Sequence, residues 1–128
     1  MDVFEIVRQM RLRHYILEGT QPRLSEDLDE WQRAFMDAHR NLLALSILRR
    51  DVEVSTVFLC LDFNHARMLN PDLPPILFET HVFGGALDGE EQRYYTWNEA
   101  MTGHGIMVGR ARDALTGHQP VSGSQIPS

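Results

Sequence analysis

Glu79 and His81 stand two residues apart in the strand-like run Ile76 to Phe83, so their side chains share one face. A carboxylate beside an imidazole can relay a proton or hold a metal ion. Asp62 and His65 follow the end of a second strand-like run, and a meander would bring Asp62 near the start of the Glu79 strand. The spacing of these four residues matches neither the HExxH helix nor paired CxxC motifs. A polar pair on a solvated sheet face, or a buried hydrogen-bonded histidine, accounts for it without any chemistry.

A second grouping is Arg93-Tyr94-Tyr95-Thr96-Trp97. Free backbone donors at a helix start, with an arginine over an aromatic ring, suit a phosphate-bearing base or nucleotide. The alternative is that Tyr95 and Trp97 serve packing while Arg93 pairs with Glu90 or Glu91. A third is Gly103-His104-Gly105, which interrupts the last helical run. Each glycine there costs about 1 kcal/mol relative to alanine, which close approach to a sheet or another subunit would justify. His104, beside Met101, Met107 and Val108, reads as a satisfied core or interface residue. Cys60 lies inside a strand and reads as a small hydrophobe. No Ser-His-Asp spacing, nucleophile elbow, phosphate loop or dinucleotide fingerprint is present. No catalytic residue, metal or cofactor is therefore assigned.

These groups need elements to hold them. Val54, Thr56, Phe58 and Cys60 alternate with Ser55, Val57, Leu59 and Leu61. That pattern predicts a strand over Val52–Leu61, apolar enough on both faces to be central and covered on each side. A second strand is predicted over Ile76–Phe83, stopped by Gly84-Gly85. Asp88-Gly89-Glu90-Glu91 makes a turn, and Gln92–Thr96 returns as a short strand. Thr96-Trp97-Asn98-Glu99 is a capping box that starts a short helix at Trp97.

Upstream, Val3–Arg13 reads as an amphipathic helix and His14–Glu18 as a strand. Asp27 and Glu30 form a capping box for a helix bearing Leu28, Trp31 and Phe35. Asn41–Leu48 suits helix or strand; we favour a strand, with Arg49-Arg50-Asp51 as the turn into the next one. The expected fold is α+β, a single domain over 1–116: a small antiparallel meander packed with two or three short helices. Residues 117–128 are expected to form a flexible tail.

Composition narrows the function classes. The chain has 128 residues with 43% hydrophobic and 23% charged content, which suits one folded core. No apolar run reaches the roughly 20 residues of a membrane span, no signal peptide opens the chain, and the one cysteine forbids an internal disulfide. A cytoplasmic setting follows as the expectation. A net charge of −6 argues against general nucleic-acid or anionic-membrane binding. All twelve basic side chains are arginine, which suits a GC-rich genome or, alternatively, a need for arginine forks toward carboxylate, phosphate and aromatic partners; the first is favoured.

A longer pattern joins these pieces. It runs Val54-Ser55-Thr56-Val57-Phe58-Leu59, Leu61-Asp62, Pro75-Ile76-Leu77-Phe78-Glu79-Thr80, Val82-Phe83-Gly84-Gly85, Arg93-Tyr94, Thr96-Trp97 and Gly103-His104. It resembles a family of small phage and prophage proteins reading VSTVFLGLDHNF, PPLLFETMVFGG and RYSTWEEAxxGH. The likeness spans residues 52–108. Two positions depart from it: Phe63 and His65 exchange the family's His and Phe, and His81 replaces Met. The loop between the strands is also longer. The family carries no assigned activity, so the resemblance implies a setting, the cytosol of an infected cell, and no mechanism.

Three classes of function remain. The first is a non-catalytic binding protein, taking a host protein or a nucleotide-like small molecule through Glu79, His81, Arg93, Tyr94 and Trp97, with Asp62, His65 and His104 as further candidates. Its biological role would include counter-defence. The second is a metal-dependent or acid–base enzyme using Asp62, His65, Glu79 and His81 with Glu99 or His104. The third is a structural protein that pairs with copies of itself. The first is favoured, because the carboxylates and histidines follow no recognised template.

Overall fold

Strand periodicity and two tight turns build the centre of the molecule. The computed structural model describes Asp2 and residues 13–117. The helix expected over Val3–Arg13 and the tail after Gly117 lie outside the described residues, apart from Arg13 and Gly117 themselves. A hairpin comes first, β1 (Tyr15–Glu18) with β2 (Gln21–Leu24), then α1 (Leu28–Phe35) and the single turn α2 (Ala38–Asn41). Next are β3 (Leu42–Arg49), β4 (Val52–Phe58), a 3₁₀ turn at His65–Met68, β5 (Phe78–Phe83), β6 (Glu91–Tyr94) and α3 (Trp97–Leu115). The four later strands form one antiparallel meander in the order β3-β4-β5-β6, beside the separate β1–β2 pair. This is a small α+β domain.

The ambiguous stretch is a strand. Arg50-Asp51 turns the chain so that Leu45 pairs with Ser55 and Ile47 with Glu53. Asn41, just before it, donates from Nδ2 to the Ala34 carbonyl at 2.9 Å, tying the strand's start to the end of α1.

Four expectations are corrected. β4 is covered on one face only: Val52, Val54, Thr56 and Phe58 are buried, whereas Glu53 is exposed and Ser55 and Val57 are half-buried. The strand also ends at Phe58, because Cys60 turns into the left-handed region at φ +66°. That turn aims the Cys60 carbonyl at two donors, Tyr15 N at 2.8 Å and Trp31 Nε1 at 3.0 Å. Burial pushes the Cys60 thiol up to about 12, so it is inert at neutral pH. The last helix is neither short nor interrupted, since its 19 residues run straight through Gly103-His104-Gly105. Finally, the Asp27 box is half-made. Asp27 accepts from Asp29 N and Glu30 N, while Glu30 instead accepts from Arg23 and Ser25. Arg23 also pairs with Glu18 within the hairpin, so its bond to Glu30 joins the hairpin to α1.

The core is layered. Phe58 pairs with Phe78, Thr56 with Thr80 and Val54 with Val82 across β4 and β5. Above them α3 sets Ala100, His104, and Met107 with Ala111 at helical spacing. One apolar cluster joins Phe58, Phe78 and Ala100 to Trp31, Ile16 and Leu77. Another joins Val54, Val82, Met107 and Ala111. Between the two lies a polar layer.

That layer is one continuous hydrogen-bonded line. Tyr94 Oη donates to Thr80 Oγ1 at 3.1 Å, Thr80 Oγ1 and Thr56 Oγ1 share a hydrogen bond at 2.5 Å, and Thr56 Oγ1 shares another with His104 Nδ1 at 2.7 Å. His104 Nε2 in turn shares a hydrogen bond with Ser46 Oγ at 2.9 Å. Both ring nitrogens of His104 have a partner in this line, and burial favours the neutral imidazole. The layer thus ties α3 to all four strands, as buried polar groups must be satisfied to be tolerated.

A pH dependence follows. Burial holds the titration of both His104 and His14 below the ordinary histidine value of 6.5. The His14 ring lies tilted against Trp31 with centroids 4.9 Å apart, and its Nε2 has no hydrogen-bond partner among the described residues. The unfolded chain therefore takes up these protons first. Stability is complete above 6.5 and is lost as pH falls from there toward the lowered folded values. Thermal melts should show the midpoint dropping between about pH 7.5 and about pH 5.5, and dropping less in His104→Gln. A midpoint that rises on acidification contradicts this assignment.

Candidate functional site

Because α3 seals one face of the sheet, alternation sends the remaining side chains out on the other. Three cross-strand rows make this face. Ile47, Glu53 and Phe83 form one row; Leu45, Ser55, His81 and Glu91 the next; Leu42, Val57, Glu79 and Arg93 the third. Ile47 is 69% exposed, Phe83 48% and Leu45 46%, so nothing among the described residues covers this apolar corner. Its polar flank carries three carboxylates, Glu53, Glu79 and Glu91, against one guanidinium, Arg93.

The flank is ordered by direct pairing. His81 stacks on Phe83 with ring centroids 4.5 Å apart. Its Nδ1 faces Glu91 Oε2 at 3.7 Å and Glu79 Oε1 at 4.0 Å. Glu79 Oε2 accepts from Arg93 Nε at 2.9 Å. The Arg93 guanidinium lies 5.1 Å from the centre of the Phe63 ring.

The other candidates go elsewhere. Asp62 is a structural brace, since Oδ1 accepts from Asn64 N at 2.8 Å and Ile76 N at 3.1 Å, and Oδ2 from Arg67 at 2.5 Å. His65 opens the 3₁₀ turn and is exposed. Tyr94 points to the α3 side, opposite to its neighbour Arg93. Its ring presses on Gly103, where an added Cβ would stand 2.2 Å from ring atoms and would have to push the ring away from its bond to Thr80. Gly105 faces open space, and nothing in the structure explains it. Trp97 packs against the Trp31 cluster, and Glu99 closes the capping box with Thr96. His104 is 7% exposed within the polar layer. The Ser46–His104–Thr56 line has the outline of a nucleophile relay but no carboxylate.

Of the predicted site residues the structure therefore brings together Glu79, His81 and Arg93, and separates Asp62, His65, Tyr94, Trp97 and His104 from them and largely from one another. Arg93 pairs with Glu79 rather than with Glu90 or Glu91, while Glu90 pairs with Arg110 at 3.4 Å. Reasoning from sequence missed Glu91, Phe83, Leu45 and Ile47. Counting back from the Gly84–Glu90 turn would have placed Glu91 opposite His81. The apolar trio needed the knowledge that β4 is covered on one side only.

No family model, curated protein or solved structure matches the chain. No helix among the described residues is long and apolar enough to cross a membrane.

Proposed function

We propose that the chain is a non-catalytic binding protein that docks a partner protein on the open sheet face, its setting being that of the phage and prophage proteins it resembles and its partner a host protein. The observation that carries this reading is the exposed apolar corner of Leu45, Ile47 and Phe83 set beside an acidic flank. Interfaces centre on such apolar and aromatic anchors, with charged residues at the rim. The partner it suits presents apolar side chains ringed by basic ones.

Two features favour a protein over a small molecule. Ligand sites are concave, whereas this face is a sheet surface. The clefts of about 270 Å³ lie elsewhere, one beside Tyr94 and Arg110, the other between the β1–β2 turn and the start of α3. A nucleotide would also need Arg93 and Tyr94 on one side. Catalysis is disfavoured because Asp62, Glu99 and His104 are each committed to structural hydrogen bonds.

The test is capture of partners from the host cell with the wild-type chain and with the Ile47→Asp/Phe83→Asp double variant, followed by affinity measurement with the purified partner. Anchors of this kind contribute about 2 kcal/mol each, about thirtyfold for one and several hundredfold for both if additive, so the double variant should bind at least about a hundredfold more weakly while melting normally. A partner bound equally by both proteins would end the reading. A purified partner identified as this chain itself would replace it with self-association.

A further inference from the structure

The His81 flank has a geometry that the docking reading does not require. Three potential ligand atoms, one each from Glu79, His81 and Glu91, all lie within 4.8 Å of one another. Separations of 3.7 and 4.0 Å between Nδ1 and the two carboxylate oxygens are too long for hydrogen bonds. They are close to the spacing of two atoms sharing one ion, because ligand bonds of about 2.0–2.2 Å at a tetrahedral angle put the donors roughly 3.4 Å apart.

We propose that Glu79, His81 and Glu91 bind a divalent first-row transition ion of the zinc class. Three further observations converge on it. First, the donors are held by the ladder itself: His81 pairs directly with Glu91, and Glu79 lies two residues along the same strand and face. Second, the His81 ring is fixed by its stack on Phe83, which sets the direction of Nδ1. Third, Glu79 divides its oxygens, with Oε2 taken by Arg93 and Oε1 left toward His81. A hydrogen-bonded carboxylate of that kind is how metal ligands are oriented by their surroundings.

The donor set chooses the ion. One imidazole with two carboxylates suits zinc and its neighbours, whereas calcium and magnesium prefer all-oxygen shells. Three protein donors leave a fourth position facing solvent, as in sites that accept water or an incoming ligand. The residues match none of the established spacings, because the third donor comes from the neighbouring strand by register and not from a local motif. The site stands whether or not the face docks a protein.

Isothermal titration of the purified full chain with zinc chloride tests it, with magnesium chloride as the comparison ion. One zinc per chain is expected, weakened tenfold or more in His81→Ala and in Glu91→Gln, with magnesium showing no comparable heat. Both positions are on the solvent side of the sheet, and matching thermal melts without metal will confirm that the variants fold. Cobalt substitution adds a structural readout, a visible absorption band that His81→Ala abolishes. The proposal is overturned if zinc does not bind, if magnesium binds as well as zinc, or if His81→Ala binds zinc like wild type. Loss of zinc binding in the variants with partner capture unchanged would keep the metal site and separate it from docking.

Discussion

Replacing Gly84 with alanine is expected to cost the fold about 3 kcal/mol or more, the sum of two effects that a second glycine separates. Gly84 sits at φ +85°, and a Cβ built there would stand 1.8 Å from the Asp51 carbonyl oxygen. That oxygen belongs to the turn between β3 and β4, so no side-chain rotation relieves the overlap and one turn must move away from the other. Gly84 N also donates to Asp88 Oδ1 at 2.7 Å, and movement would strain that bond. Gly89 shares the backbone at φ +87° but has open space around it. Gly89→Ala should therefore show the conformational cost alone, about 1–2 kcal/mol. Urea denaturation of both variants gives the comparison. Equal midpoints would mean that the two turns do not touch as described.

Removing the Asp62 carboxylate by Asp62→Ala should cost about 3 kcal/mol, the range found when one partner of a buried ion pair is deleted. Its side chain is 10% exposed and that of Arg67 15%, so the guanidinium would be left with little solvent. Two backbone donors, at Asn64 and Ile76, would lose their acceptor as well. These contacts close the loop between β4 and β5 at both ends. The variant should thus lose stability and also become sensitive to limited proteolysis between Phe63 and Pro75. A shift in midpoint below 1 kcal/mol, with the loop still resistant, would show that the brace is dispensable.

Much of this architecture was readable before the coordinates, and the failures have physical causes. The alternation Val54-Thr56-Phe58 and the Thr96–Glu99 box are local signals, and both elements lie where those signals put them. The strand at Leu42–Arg49 was harder, because six apolar residues in eight satisfy either period; the Arg50-Asp51 turn and its pairing partners resolved it. Cys60 continued the alternation perfectly, so its left-handed backbone was hidden. The reason for it is tertiary, a carbonyl required by Tyr15 and Trp31. The glycines of α3 suggested a break, yet helix propensity yields when a Tyr94 ring occupies the space a Cβ would fill.

The candidate site divided in the same way. Glu79 and His81 share a face by strand arithmetic alone. Arg93 and Tyr94 obey the same arithmetic, which sends them to opposite faces and so dismantles the nucleotide site suggested by their adjacency. Glu91 and the apolar corner depended on register and on which face α3 covers, neither of which is local. His104 read correctly as a satisfied buried residue, but its direct partners, Ser46 and Thr56, come from two different strands and could not be named.

The central claim is that the sheet face opposite α3 is the working surface. Photo-crosslinking in the producing cell tests it most directly, with a photoreactive phenylalanine analogue placed at Phe83, at Ile47, and at Ile106, which is 62% exposed on α3. The account predicts a discrete heavier protein adduct from Phe83 and Ile47 and none from Ile106. Adducts from Ile106 alone, or none from the sheet positions, would contradict it.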